Sequence, residues 1–462
     1  MREKGALAQS SSTQTTGPLR TAYLSLFPAA GFCMALLFGR TWAILSPDAG
    51  YYRMLAAGQR AMVPPPFSAR ILGPALAHLI GDFAGIGVDN GFLLLGVVSL
   101  LAILLALTYL LRSAKLPAAI FAAIFLMPLW IGLFHDYYLP DLLHAAILAV
   151  ILACLVSGRV MVAMLLLFPA YLARESTLLI TLCLVWAAWR RASLQAMLTG
   201  LGATAAGILV SRHYVRLAAV PVQRVSGAQY LAGKLTWSFL RNIFGLPLWA
   251  NRMPDGLPSC KPMATMTLPS LLHFGAIRSV GLCHPSMWGP VRLLLAWFGN
   301  FGIGPAVAAA CLPLILSRRR ISAGRLDQGA PLLGGGILAT PGGSIAFRFC
   351  VLYGIVSFLS APLLGASVER LVNYAWPFFF LAVPWAVFAS QLSWSSEASA
   401  PRFSRPQGIA LILRHLLASG IAWYTFSLER PPAVYLEAGL AVLMLNLGAY
   451  VLIRRGLQQG IA

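Results

Sequence analysis

What most limits the fold of this chain is the recurrence of long apolar runs. They lie near 22–45, 91–111, 117–134, 141–157, 160–173, 177–189, 195–211, 290–316, 346–364, 371–391, 408–425 and 434–453, each bounded by charge or by Pro and Gly. A bilayer helix uses about 20 apolar residues, so such runs suit membrane crossings, and a water-soluble fold has no interior large enough for them all. The balance of residues agrees: only 10% are charged, against about 25% in an ordinary soluble domain. The expected fold is all-α, a single polytopic membrane domain over 21–455 with about 12 transmembrane helices. A disordered cytoplasmic tail over 1–20 and a short cytoplasmic tail over 456–462 flank it. The runs at 160–173 and 177–189 are short for a crossing and need local thinning or extended flanks. The first run lacks a small-x-small cleavage site, so it is expected to remain as an uncleaved helix.

Charge sets the orientation. With the N-terminus inside, the cytoplasmic connections are Arg112 to Lys115, Arg159, Arg190-Arg191, Arg318 to Arg320, the Arg402/Arg405 segment and Arg454-Arg455. All are basic, as the positive-inside rule demands of short loops. The same map places Asp48, Asp82, Asp89, Asp136, Asp141, Glu175, Asp255, Glu369, Glu429 and Glu437 on the outer face. The rule says little about acids, so this asymmetry is independent of it. Arg outnumbers Lys, which is confined to Lys4, Lys115, Lys234 and Lys261; this fits a GC-rich bacterial genome. The expected location is the bacterial cytoplasmic membrane, multi-pass, with both termini cytoplasmic.

Two outer loops are long. The first, 46–90, reads as two interfacial amphipathic helices interrupted by Pro64-Pro65-Pro66. The other, 212–290 with Arg292 just beyond, carries Arg212, Arg216, Arg224, Lys234, Arg241, Arg252, Lys261 and Arg278 against Asp255 alone. Such a surface suits an anion, whether a phosphate headgroup gripped by guanidinium forks or ordinary acidic lipid. A loop facing outward gives no reason to expect nucleic acid as a partner. The seven cysteines show no CxxC or His/Cys ligand spacing, so no metal site is expected. Cys260 and Cys283 share the long loop and are free to pair in an oxidising compartment. The Gly-rich stretch DQGAPLLGGGILATPGGS has no Lys-Ser/Thr after its glycines, hence no phosphate cradle; it reads as a linker.

Four acidic clusters share the outer face: Asp48, the turn FHDYYLPD, Arg174-Glu175 and Glu369-Arg370. Asp48 follows the first membrane helix beside Tyr51 and Tyr52. It is placed to cap the next helix, or to take a proton from an acceptor hydroxyl within hydrogen-bond reach. FHDYYLPD packs His135, Asp136, Tyr137, Tyr138 and Asp141 together. The tyrosines suit an interfacial belt and Asp141 a helix cap, whereas a carboxylate such as Asp136 at the hydrocarbon edge is costly unless paired. Arg174 and Glu175 are adjacent and do not easily bridge each other, so each should reach another loop or stay in a solvated turn. Glu369 and Arg370 pose the same alternatives, with Asn373 and Tyr374 just after. His144, inside a run, reads as a satisfied core histidine.

These features resemble the GT-C superfamily, integral membrane glycosyltransferases that take sugar from a polyprenyl-phosphate or polyprenyl-pyrophosphate carrier. The resemblance covers most of the chain, through a first helix ending at Asp48, a long first outer loop with amphipathic helices, a second acidic loop at Asp136, a long fourth outer loop and about a dozen spans. It implies Asp48 and Asp136 as the catalytic carboxylates. The resemblance assigns no counterpart to Arg70, Arg174 and Arg370; from their place on the periplasmic side, they are expected with Glu175, Glu369, Tyr51, Tyr137 and His135 to meet the substrate and its phosphate. The first loop has no Asp-x-Asp or adjacent Asp pair, so the expected enzyme is inverting, metal-independent and without a cofactor. Its expected partners are a polyprenyl-phosphate-linked sugar, a glycan or lipid acceptor and membrane lipids. The rival expectations are a transporter or flippase of lipid-linked glycans, and an O-antigen polymerase or ligase using the same carrier.

Overall fold

A computed structural model describes residues 18–41, 47–63, 67–112, 118–216, 235, 238–244, 288–312, 340–364, 367–388, 405–427 and 431–459. Among the described residues there is helix throughout and no strand. In chain order the elements that matter are α1 (Pro18–Thr41), α2 (Pro47–Ala56), α3 (Leu72–Phe83), α4 (Gly87–Arg112), α5 (Ala118–Phe125), α6 (Leu129–His135) and α7 (Pro140–Val156). They continue with α8 (Val160–Leu165), α9 (Leu167–Ala173), α10 (Thr177–Ala188), α11 (Leu194–Arg216) and α12 (Trp288–Gly299). After these come α13 (Gly304–Leu312), α14 (Pro341–Leu364), α15 (Val368–Val372), α16 (Val383–Phe388), α17 (Arg405–Phe426) and α18 (Pro432–Gln459).

Among the described residues, six helices are long and apolar enough to cross a membrane, or seven if α12 and α13 count as one bent span. This differs from a dozen continuous crossings, and the reasons are local. The run at 117–134 still counts among the six, as 118–135, although its helix is interrupted at Leu126 to Pro128, where proline removes a donor and crowds the preceding turn. The run at 160–173 divides between α8 and α9. The run at 290–316 bends by 69° between Gly299 and Gly304, with Gly302 at φ +57°, a left-handed backbone that glycine adopts without strain. The run at 371–391 opens as a 3₁₀ turn (Asn373–Ala375) and continues through a π-helical turn, Phe378–Ala382, into α16.

Helix ends also reach past the apolar runs. Residues 18–20 are the first turn of α1, 212–216 the last of α11, and 456–459 the last of α18, so the tail and loop limits drawn from hydropathy shift by a turn. Residues 1–17, most of the 212–290 loop with Cys260 and Cys283, Arg318 to Arg320 and Arg402 lie outside the described residues. So do Asp255, Glu429 and Pro64 to Pro66.

The helices are apolar on more than one face. On α4, Leu100, Leu104, Leu107 and Leu111 are buried while Leu94, Val98, Leu101 and Leu105 are exposed one stripe away. A helix greasy all round suits an apolar surround. Close approaches use glycine: a Cβ at Gly91 would strike the Ala77 carbonyl where α3 folds back on α4, and one at Gly342 would strike the Leu155 carbonyl.

The antiparallel run of the bundle sorts charge by end. Gly342 against Leu155, and the Arg191 guanidinium donating to Ser344 Oγ, bring together the close of α7, the close of α10 and the start of α14. Arg112, Arg159, Arg190 and Arg454 occupy the corresponding helix ends. Every carboxylate among the described residues belongs to the opposite end, where α2, α4, α7, α10 and α18 begin and α3 and α14 finish.

Candidate functional site

At the acidic end, α7, the turn before α10, the loop before α3 and the segment after α14 converge. Asp141 is their centre. Pro140 opens α7 with its ring in the position where a helix needs no N–H, and this sets Asp141 in the first turn facing the bundle, 6% exposed. Arg174, equally buried, ion-pairs with Asp141, and the Tyr374 hydroxyl donates to the same carboxylate. Arg174 also lies over the Tyr374 ring, 4.7 Å from its centroid. Arg370 Nε stands 3.5 Å from Asp141 Oδ2.

Beside this pair lies a second. Arg70 Nε donates to Glu175 Oε2 at 2.7 Å, its Nη2 donates to Oε1, and its Nη1 donates to the Tyr52 hydroxyl at 2.8 Å. The two-pronged geometry is the strong form of a guanidinium–carboxylate contact. Tyr52, fully buried, ties α2 to this pair and lines a small cleft with Phe92, Tyr137, Tyr138, Gly73 and Gly96.

The electrostatics follow from this crowding. Burial alone would raise the Glu175 carboxyl, but the Arg70 guanidinium outweighs it and holds Glu175 down at about 2. Burial weakens the Arg174 grip on its proton, and the charges of Arg70 and Arg370 weaken it further, to about 9, which leaves it a cation at neutral pH. Burial also opposes charge on Arg370; there Asp141, Asp136 and Asp48 more than offset it and raise its proton affinity. Asp48 and Asp136 therefore belong to the field of the same cluster.

The groups differ in how much of their bonding capacity is used. Arg70 and Arg174 are held by carboxylates and aromatic hydroxyl or ring partners. Asp48 is half-buried in the first turn of α2 and makes no side-chain hydrogen bond or ion pair among the described residues. Among the described residues the Arg370 side chain has only its 3.5 Å approach to Asp141, and its Nε is buried with no hydrogen-bond partner.

Of the residues singled out from sequence, Asp48, Asp136, Arg70, Arg174, Glu175 and Arg370 come together. Glu369 does not. It turns away from Arg370 to meet Arg292 at 2.7 Å, and its backbone carbonyl accepts from Asn300 at the bend between α12 and α13. Tyr51 stacks on Phe67 (4.7 Å, 22°) and Tyr137 on Tyr138 (4.7 Å, 26°), while His135 closes α6 immediately before Asp136. Asp141, weighed from sequence only as a cap, is the residue around which the others gather; two arginines close to a single acid far along the chain are invisible until the helices are packed. Among the described residues no group of three or more His, Cys, Asp or Glu side chains converges as metal ligands would. Compared with protein-family models, with curated proteins and with solved structures, the chain matches none of them.

Proposed function

We propose that the chain is an inverting glycosyltransferase that moves a sugar from a polyprenyl-phosphate carrier to a glycan or lipid acceptor at the outer face of a bacterial cytoplasmic membrane. The observation that carries this reading is the Asp48 carboxylate, without a side-chain partner among the described residues, beside a loosely held Arg370 at the rim of the Arg70–Glu175 and Arg174–Asp141 ion pairs. A general base needs a free carboxylate, and a leaving phosphate needs a cation with bonding capacity to spare.

In the proposed step Asp48 accepts the proton of the acceptor hydroxyl as that oxygen attacks the anomeric carbon. The carbon–oxygen bond to the carrier phosphate breaks on the opposite face of the sugar, and its electron pair leaves with the phosphate. The leaving phosphate gains charge beside Arg370. Asp136 orients the acceptor or the guanidinium, and the half-buried Tyr137 ring, backed by Tyr138, offers a flat surface to the sugar. Arg70, Arg174, Glu175 and Asp141 hold the frame. In this reading the chemistry uses neither a metal nor a cofactor. A crossing map of about 12 spans, with the α8–α9 and α12–α13 pairs each taken as one, puts this end in the periplasm and both termini inside.

One feature favours the rival class. A bent span such as α12–α13 is what a transporter uses to present backbone groups to an ion or substrate. Here those groups are already engaged: Asn446 Nδ2 is within bonding distance of the Phe298 and Gly302 carbonyls (2.7 and 3.1 Å), Asn446 Oδ1 accepts from Ala306 N–H, and His415 Nδ1 accepts from Ile303 N–H. The transferase reading therefore stands ahead of it.

The test is to incubate purified protein with a panel of polyprenyl-phosphate hexoses and pentoses and to follow sugar transfer. The expected result is turnover with one donor class and a loss of at least about 100-fold in Asp48→Asn, the scale of a missing general base, at unchanged expression and melting temperature. Full activity in Asp48→Asn rejects the assignment. Accumulation of an unchanged glycan in vesicles supports a transporter instead, and turnover confined to oligosaccharide pyrophosphates a polymerase or ligase.

A further inference from the structure

His144 stands one helical turn beyond Asp141 on α7 and so shares its face. It is 1% exposed. Its Nε2 lies 2.9 Å from Thr177 Oγ1, and its Nδ1 has no partner. Thr177 begins α10, and its N–H bonds the Arg174 carbonyl at 3.1 Å. The imidazole thus cross-links α7 to the turn that carries Arg174 and Glu175, directly beneath the Arg174–Asp141 ion pair. Thr181 and Thr204, 2.8 Å apart and buried, extend the polar contact from α10 into α11.

The same ring meets Tyr374 edge to face, at 6.1 Å and 81°. Tyr374 is therefore gripped twice, by His144 on one side and by Arg174 over its face at 4.7 Å, while its hydroxyl occupies Asp141 Oδ1. That occupancy matters for Arg370. With one Asp141 oxygen taken by Tyr374 and Arg174, Arg370 reaches only 3.5 Å from the other and stays uncommitted. Release of Tyr374 would leave the carboxylate free to turn, so that Oδ2, which now has no hydrogen-bond partner, would close on Arg370 and draw it away from Asp48.

We propose that His144 is a positioning residue. It holds Tyr374 on Asp141 so that Arg370 stays available to the leaving phosphate, a role that rests on the transferase reading above. A histidine buried merely to fill space would have neither the inter-helix bond nor the edge contact at the one aromatic residue that caps the central acid. The half-used imidazole, bonded through Nε2 alone, departs from the satisfied core histidine expected from sequence.

The test uses the full chain in detergent with the polyprenyl-phosphate sugar that turns over fastest in the panel. His144→Leu and Thr177→Val are each expected to lower kcat about tenfold with KM within about twofold, since a small displacement of a charged group is felt in the chemical step. His144→Asn, which can still donate to Thr177, is expected to keep at least about half of wild-type kcat. The double variant should lie within about twofold of the weaker single, because the two changes break one link. Should His144→Leu fail to fold, the Asn and Thr177→Val arms carry the comparison. Wild-type kcat in His144→Leu, no advantage of Asn over Leu, or effects that multiply in the double variant would each overturn the role. Absence of turnover in the wild type removes the transferase reading and this role with it, whereas turnover in the wild type with unimpaired variants removes only the role.

Discussion

Arg70 has the most completely satisfied guanidinium of the site, and this makes it a structural residue more than a chemical one. Its removal strands Glu175 and Tyr52, and loss of one partner from such a pair costs on the order of 2 kcal/mol once the partial exposure of Glu175 is allowed for. Arg70→Gln is therefore expected to lower the melting temperature in detergent by several degrees. The acid response gives a second check. Glu175 is held at about 2, below the usual glutamate value of about 4.3, so its contribution is complete above about pH 4.3 and fades as pH falls toward 2. Wild-type protein should lose stability through that window, and Glu175→Gln should flatten the loss. An unchanged acid limb in that variant would sink the assignment. Asp48, Arg174 and Glu175 could be singled out from sequence, and the structure brings them to one cluster, because charge in so apolar a chain is conspicuous. Sequence could not give their partners: Asp141 and Arg370 are 229 positions apart, and Asp141 looked like an ordinary first-turn acid. It also grouped Glu369 with Arg370, although adjacent side chains on a helix diverge by about 100° and here enter different ion pairs.

At the scale of elements, the bend between α12 and α13 is the least regular part of the bundle and among the most thoroughly bonded. His415 Nδ1 accepts from Ile303 N–H at 3.3 Å, which leaves its proton on Nε2 for the Ala123 carbonyl at 2.7 Å. Asn446 covers both sides of the gap. Within lipid, backbone groups have no water to turn to, so Asn446→Leu should destabilise the protein by at least about 2 kcal/mol. A thermal melt in detergent with no shift would contradict this. Gly302→Ala meets two obstacles, the positive φ and the His415 ring and carbonyl about where its methyl would sit, and is expected to be at least as damaging. Hydropathy located this region as apolar but read it as one continuous helix. Glycines at 299, 302 and 304 are the sequence signal of the break. A window average over an apolar run dilutes it, and the polar groups that mend it come from α17 and α18, over a hundred residues later.

For the molecule as a whole, the separation of charge is the feature best read from sequence. Acids at one end of the described bundle and Arg112, Arg159, Arg190 and Arg454 at the other reproduce the pattern drawn from loop composition, because an antiparallel helix run preserves alternation along the chain. Single cysteines at Asp82 and at Arg190, placed in a variant lacking the native seven, test its orientation. In intact cells a membrane-impermeant maleimide is expected to label position 82 and not position 190; the reverse would put the candidate site in the cytoplasm and exclude a periplasmic transferase. Crossing number was less legible, since interruptions at the α8–α9 junction and at the bend between α12 and α13 shorten helices without lowering hydropathy. One consequence follows from α15, whose neighbouring Glu369 and Arg370 reach separate partners from a five-residue helix. Insertion or deletion of a single residue there would rotate everything beyond it by about 100° and misdirect Arg370, Asn373 and Tyr374 together. Natural variation in this stretch is thus expected to conserve its length and to exchange side chains only at positions other than Glu369 and Arg370.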